Sequence, residues 1–303
     1  MDIDRVGKVL HDKSRPLKER FRALFTLRSI GGKSSLEWMQ KTIKEDSSEL
    51  LKHEIAYVMG QMQDAEAIEG LISILSDPKM EPIVRHEAAE ALGALGEDPK
   101  IRKALESILN SKDLPIEVTE TVSLALSRLD WLKNPEKNLS KNPYDSVDPA
   151  PPFPLDFSSN LESLLHNESE DIFIRYRAMF SLRNKGDTDS IQSLCRGLIH
   201  DKSSALFRHE VAYVLGQIQS FESKKSLIQI LQNEKEHPMV RHECAEALGS
   251  IGTPEIHSEL QKYLGKEVPA VVRESCEIAL DFCDYNQSSD FQYANTLSSS
   301  IKS

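Results

Sequence analysis

An all-helical fold, stacked from helical hairpins into an α-solenoid, is what this sequence predicts, and three observations predict it. Residues 53–96 align without a gap to residues 209–252, with 25 of the 44 positions identical at an offset of 156. Within each copy a shorter unit recurs every 31 to 34 residues and closes on a stretch such as RHEAAEALGALG, Arg85 to Gly96. Apolar residues inside that unit keep helical spacing: Ala88, Ala91, Leu92 and Leu95 form one face. A repeat of this length cannot bury its apolar face alone, so neighbours must stack.

Taken in order, four such units fit each half. Their second helices end near Ile30, Met62, Leu95 and Leu129, then near Lys185, Ile218, Ile251 and Phe282. The segment FRALFTLR at 21–28 is answered by YRAMFSLR at 176–183. Small residues (Ala56, Gly60, Ala89, Gly93) permit close helix approach, and Gly31 and Gly96 supply stops. Sustained alternation and paired turn signals are missing, which excludes β-structure. The expectation is a HEAT-like α-solenoid of eight helical-hairpin repeats in two duplicated halves, 1–133 and 157–284. Between them, residues 134–156 carry six prolines, and an extended, semi-rigid linker setting the halves face to face follows. Residues 285–303, rich in Ser, Asn and Gln, read as a disordered tail.

A formal charge of −11 excludes sequence-independent nucleic-acid binding, which needs clustered Lys and Arg, and favours a basic partner or a cationic substrate. No apolar run is long enough for a membrane span, and the start (Met1-Asp2-Ile3-Asp4-Arg5) lacks a signal-peptide pattern. A cytoplasmic location is therefore expected, with the nucleus left open. Cys195, Cys244, Cys276 and Cys283 show no CxxC spacing and read as reduced thiols.

The chemistry lies in four copies of one dipeptide: His53-Glu54, His86-Glu87, His209-Glu210 and His242-Glu243. None is HExxH, because Tyr57, Glu90, Tyr213 or Glu246 stands at the fourth position after the histidine. If the pair belonged to the repeat's structural consensus, the outer repeats would carry it too. They carry Phe21-Arg22, Glu120-Thr121, Tyr176-Arg177 and Glu274-Ser275 instead. Restriction to the two inner repeats of each half, preserved through duplication, marks a site. Adjacent stacked helices lie about 8–10 Å apart, so two imidazoles can meet at one ion. Neighbouring residues on a helix point about 100° apart, so some glutamates must sit beside the metals rather than on them. Imidazole plus carboxylate without thiolate suits non-haem iron with open positions for dioxygen, with zinc and manganese left open. The absence of Asp from these positions argues against a dinuclear hydrolase.

With these residues in place, the chain resembles the deoxyhypusine hydroxylase family, HEAT-repeat di-iron monooxygenases, over about residues 4–283. The doubled His-Glu set, with its 33-residue spacing in both halves, carries the resemblance. It implies two irons per chain with dioxygen as co-substrate, and a protein substrate bearing deoxyhypusine, the modified lysine of a translation initiation factor. It also implies an unidentified electron donor. By position, His53, His86 and Glu87 would hold one iron and His209, His242 and Glu243 the other, with Glu54 and Glu210 facing the substrate. No catalytic residue beyond the metal site is assigned. Carboxylates there can pair with the two nitrogens of an aminobutyl-extended lysine.

Two rivals stand beside this reading. A non-catalytic HEAT scaffold that binds protein on its concave face is favoured by fold alone; a phycobilin-lyase-like repeat protein would not need paired His-Glu in both halves. Tyr57 and Tyr213 read as core aromatics, with hydrogen-bond donors beside the metal ligands as the alternative, Gly60-Gln61 and Gly216-Gln217 as repeat packing, and Arg85 and Arg241 as orienting carboxylates or pairing between repeats.

Overall fold

A computed structural model describes residues 2–287. Its helices form successive hairpins: α1 (Ile3–His11) with α2 (Leu17–Ile30), α3 (Gly32–Glu45) with α4 (Glu49–Gln61), α5 (Ile68–Ser76) with α6 (Pro82–Leu95), and α7 (Pro99–Leu109) with α8 (Ile116–Lys133). The second half repeats the scheme with α9 (Leu161–His166) and α10 (Ile172–Lys185), α11 (Thr188–His200) and α12 (Ala205–Ile218), α13 (Lys224–Gln232) and α14 (Pro238–Ile251), and α15 (Pro254–Leu260) and α16 (Ala270–Gln287). Among the described residues no strand forms; one isolated bridge joins Leu139 to Pro154. The predicted ends at Ile30, Leu95, Lys185, Ile218 and Ile251 coincide with the observed ones, whereas α8 and α16 run beyond Leu129 and Phe282. Of the tail expected over 285–303, residues 285–287 continue α16 and 288–303 lie outside the described residues.

The second helices of the hairpins stack on one another along an inner layer. Small residues set their spacing. A Cβ on Gly60 would stand 2.7 Å from the Ala91 backbone, and one on Gly249 would stand 2.7 Å from that of Ala279. Each hairpin of one alternate set is pinned by an arginine that reaches back ten residues. Arg20, Arg85, Arg175 and Arg241 donate through Nε to the carbonyls of Leu10, Leu75, Leu165 and Leu231, at 2.9 to 3.1 Å. Those carbonyls close the preceding short helices, where intrahelical donors have run out. Arg85 and Arg241 thus bind backbone rather than carboxylates, each reaching away from its histidine to the preceding helix of its hairpin.

The two halves meet at both ends, α8 against α10 and α12, and α16 against α2 and α4. The array therefore closes on itself. Ser204 donates to Glu120 at one seam and Ser48 to Glu274 at the other, both at 2.7 Å. Arg22 grips Asp281 across the second seam at 2.5 and 2.7 Å.

The proline-rich segment differs from the extended spacer expected of it. It folds back on itself, Leu155 N–H donating to the Asn138 carbonyl, and buries Pro149, Ala150, Pro152 and Phe153. Its prolines leave carbonyls without local partners, and side chains of the halves supply them: Arg177 reaches Pro151 and Pro152, and Arg128 reaches Asp148. Arg183, fully buried, holds the Asp148 carboxylate at 2.6 and 2.8 Å.

Candidate metal centre

Four helices bring the His-Glu pairs together, and equivalent helices of the two halves begin the same way. Ser48 and Ser204 cap α4 and α12, accepting from Leu51 N–H and Phe207 N–H, while Pro82 and Pro238 open α6 and α14 at their first turn. In all four the histidine comes four residues after the helix start, so it lies in the second turn. Stacking of equivalent helices then aligns the imidazoles within each half, and ring closure brings the halves together.

The result is one cluster rather than two separated pairs. Ring centroids stand 5.5 Å apart for His53 and His86 and 5.3 Å for His209 and His242. Across the halves the separations are as short: 5.3 Å for His53 and His242, 5.4 Å for His86 and His209, and 6.0 Å for His53 and His209. All four histidines are buried, and seven of their eight ring nitrogens have no hydrogen-bond partner. Glu87 Oε2 lies 3.2 Å from His53 Nε2, and Glu243 Oε2 lies 3.4 Å from His209 Nε2, yet neither approach makes a hydrogen bond. Each neutral ring has one lone-pair nitrogen and one N–H, and leaving the former buried without a partner costs free energy unless something electrophilic takes its lone pair. A metal ion fits that demand, and the donor set matches it.

Among the described residues, ligand atoms lie within 4.8 Å of one another in three overlapping sets. The first is His53, His86 and Glu87; the second is His53, His209 and His242; the third is His242, Glu243 and Glu246. Glu246 and Glu90 served in the sequence only to exclude HExxH and were not assigned to the site. The signal that could have found them is the offset of 156 between them, which extends the motif to His-Glu-x-x-Glu in each half. Glu246 Oε1 lies 3.3 Å from His242 Nδ1 and accepts from Ser275 Oγ at 2.8 Å.

A cavity of about 290 Å³ opens onto the cluster. Six carboxylates line it (Glu54, Glu87, Glu90, Glu210, Glu243 and Glu246) and, among the described residues, no lysine or arginine. Burial, reinforced by Glu246, pushes the Glu54 carboxyl up to about 8. Burial with Glu246 does the same to Glu243, also to about 8. Glu90 and Glu210 are likewise raised well above the usual carboxylate range, by burial and by neighbouring carboxylates. Burial works against charge on His53, but Glu87 beside it prevails and raises it to about 9. Burial and His53 together depress His209 to about 3, while burial lowers His86 and His242. Such a site crowds anionic groups that cannot all ionise unless cations join them.

Tyr57 and Tyr213 pack against the core but also line the cavity, and their hydroxyls meet at 2.9 Å. Gly60 and Gly216 serve helix packing. Gln61 and Gln217 do more: Gln61 bonds the Val147 backbone and Gln217 bonds Arg183, Ser146 and Tyr213, which ties the linker to the site. His11, His166, His237 and His257 lie at the surface or half-buried, away from the cluster.

Fold and site together define a helical-repeat protein closed around a buried histidine and carboxylate centre. The profile of HEAT repeats matches residues 3–93 and 202–281, and that of the PBS lyase HEAT-like repeat matches 84–112 and 174–200. Deoxyhypusine hydroxylase of Drosophila melanogaster is 49% identical over 296 residues, covering 97% of this chain and 96% of the relative. The human enzyme is 48% identical over 296 residues, with 98% and 96% covered. The structure of human deoxyhypusine hydroxylase in complex with glycerol superposes with a TM-score of 0.87 at 48% identity, covering 93% of this chain and 96% of that one. The chain belongs to the deoxyhypusine hydroxylase family.

Proposed function

We infer that this chain is the monooxygenase that hydroxylates the deoxyhypusine side chain of a protein, completing hypusine, and that the histidine cluster is where it does so. The observation that carries the site is the set of seven imidazole nitrogens without a hydrogen bond, buried beside six carboxylates. A non-catalytic scaffold gives no reason to bury them. We assign two irons per chain, one to His53, His86 and Glu87 and the other to His209, His242 and Glu243. The first half, 1–133, and the second, 157–284, each contribute one set, held by the segment 134–156.

When bound, the metal supplies activation of dioxygen. One oxygen atom enters a C–H bond and the other leaves as water, so two electrons and two protons must come from an external reductant. The chain's own residues do the rest. Glu54 and Glu210, buried and without a basic partner in the cavity lining, receive the cationic nitrogens of the arm by charge-assisted hydrogen bonds. That pairing fixes which carbon faces the metals. Burial of the site excludes bulk water during oxidation. The acidic surface draws in a basic protein loop and repels nucleic acid. Among the described residues no helix is long and apolar enough to cross a membrane; we place the reaction in the cytoplasm, where four buried free thiols fit a reducing milieu.

The test is direct. Iron-loaded protein, a reductant and a deoxyhypusine-bearing translation factor should give a mass gain of one oxygen atom on that side chain. Glu54→Gln should keep its iron and lose substrate affinity. Bound iron with no oxygen transfer to that substrate would contradict the reading.

A further inference from the structure

Duplication alone would give this site two mouths, one at each seam between the halves. They are not alike. At the seam of α16 with α2 the cavity reaches the surface past Ile278, Ala279 and Phe282, with Phe21 and Phe25 opposite. Phe282 is 37% exposed, and Gln219 beside the cavity is exposed as well. At the other seam the residues occupying the same helical positions, at an offset of 154, are Leu124, Ala125 and Arg128. There, between α6, α8 and the linker, the space that remains admits no water molecule, and buried Pro149 of the linker lies in its wall. Glu90 borders this closed space as its counterpart Glu246 borders the open cavity. Arg128, where the open side has Phe282, is bonded to the linker at Asp148 O.

We propose that the linker is a plug that closes one of the two symmetry-related mouths, and that the substrate's arm enters at the other, between α2 and α16. This rests on the substrate reading above and adds direction to it. The lip is apolar (Phe25, Phe282) and the interior anionic (Glu54, Glu243, Glu246). A side chain that is aliphatic along its length and cationic at its nitrogens matches that order, methylenes at the lip and ammonium groups at the carboxylates. One entrance also fixes which half's residues the arm's terminal amine meets first, which an unplugged two-mouthed site would leave open.

Two lip variants and one plug variant test this, each checked for unchanged melting and iron content. Phe282→Arg puts on the open side the residue type that the closed side carries, and Ser250→Trp fills the lip from α14. Each should raise both KM for the deoxyhypusine-bearing protein and its Kd, measured by calorimetry on metal-free chain, about tenfold or more, as a misplaced charge or filled passage would. Val147→Arg in the linker should change neither, since its contacts to Gln61 are through backbone atoms. Unchanged KM and Kd in both lip variants, or an equal rise in Val147→Arg, would overturn the proposal. A wild-type chain that binds iron but does not hydroxylate the arm would instead overturn the substrate reading, and this inference with it.

Discussion

His53, His86, His209 and His242 owe their convergence to a shared address, the second turn of a second helix, and the residue just before each shows how sharply that address divides roles. Arg85 and Arg241 turn away from the cluster onto the carbonyls of Leu75 and Leu231. Replacing Arg241 by Ala should cost about 1.5–3 kcal/mol, the range for a buried hydrogen bond from a charged group. Urea unfolding would read this, and iron content should stay at the wild-type value. Loss of iron without loss of stability would mean that Arg241 orients the site after all. At this scale the sequence was highly legible: repetition of His-Glu in the inner repeats alone separated ligand candidates from consensus. What it hid were contacts that depend on ring closure. The meeting of Tyr57 and Tyr213 hydroxyls joins residues 156 positions apart, and no local spacing encodes it.

Helix packing carries the next set of consequences. An alanine in place of a mid-helix glycine ordinarily stabilises by about 1 kcal/mol. Gly60→Ala should do the reverse and destabilise by about 1–3 kcal/mol, because the new methyl meets the Ala91 backbone at 2.7 Å and the helices must part. A higher denaturation midpoint for that variant would show that α4 and α6 have slack. The linker is the element that sequence reasoning read least well. Six prolines spoke for extension, but the fully buried Arg183 and its Asp148 partner anchor the segment as a folded strap. Removing one member of such a buried pair strands the other, so Arg183→Met should cost about 3–5 kcal/mol in thermal or chemical denaturation. A loss below about 1 kcal/mol, the worth of a surface pair, would contradict that anchoring. Composition could not reveal this, since the partners of a proline-rich segment lie in distant helices.

For the molecule as a whole, metal and proton compete for one site. Between pH 6.5 and 9 the metal-free chain holds protons on Glu54 and Glu243, raised to about 8, and on His53, raised to about 9, that the unfolded chain has released. The native state then binds more protons than the unfolded state, so stability falls as pH rises through that window. His209, depressed to about 3, acts in the opposite sense below pH 6.5, where its contribution is lost as pH falls. Metal-free protein should therefore melt lower at pH 9 than at pH 6.5. Iron-loaded protein should lose this alkaline decline, because cations replace the protons, and should melt higher throughout. Melting curves of both forms across pH 6 to 9 check it; metal-free protein that gains stability toward pH 9 would contradict the assignment. The solenoid and its duplication were readable from periodicity, as was the recurrence of the His-Glu pairs in the inner repeats. Closure into a ring with unequal seams was not, because pairing between first and last repeats leaves no periodic trace.

The most direct test of the central claim is the iron content of the purified chain, measured after anaerobic reconstitution with ferrous ion and removal of excess. The account predicts close to two irons per chain, lost in the His53→Ala, His242→Ala double variant while the helical content is kept. No bound iron in the wild-type chain, or iron retained undiminished in the double variant, would contradict it.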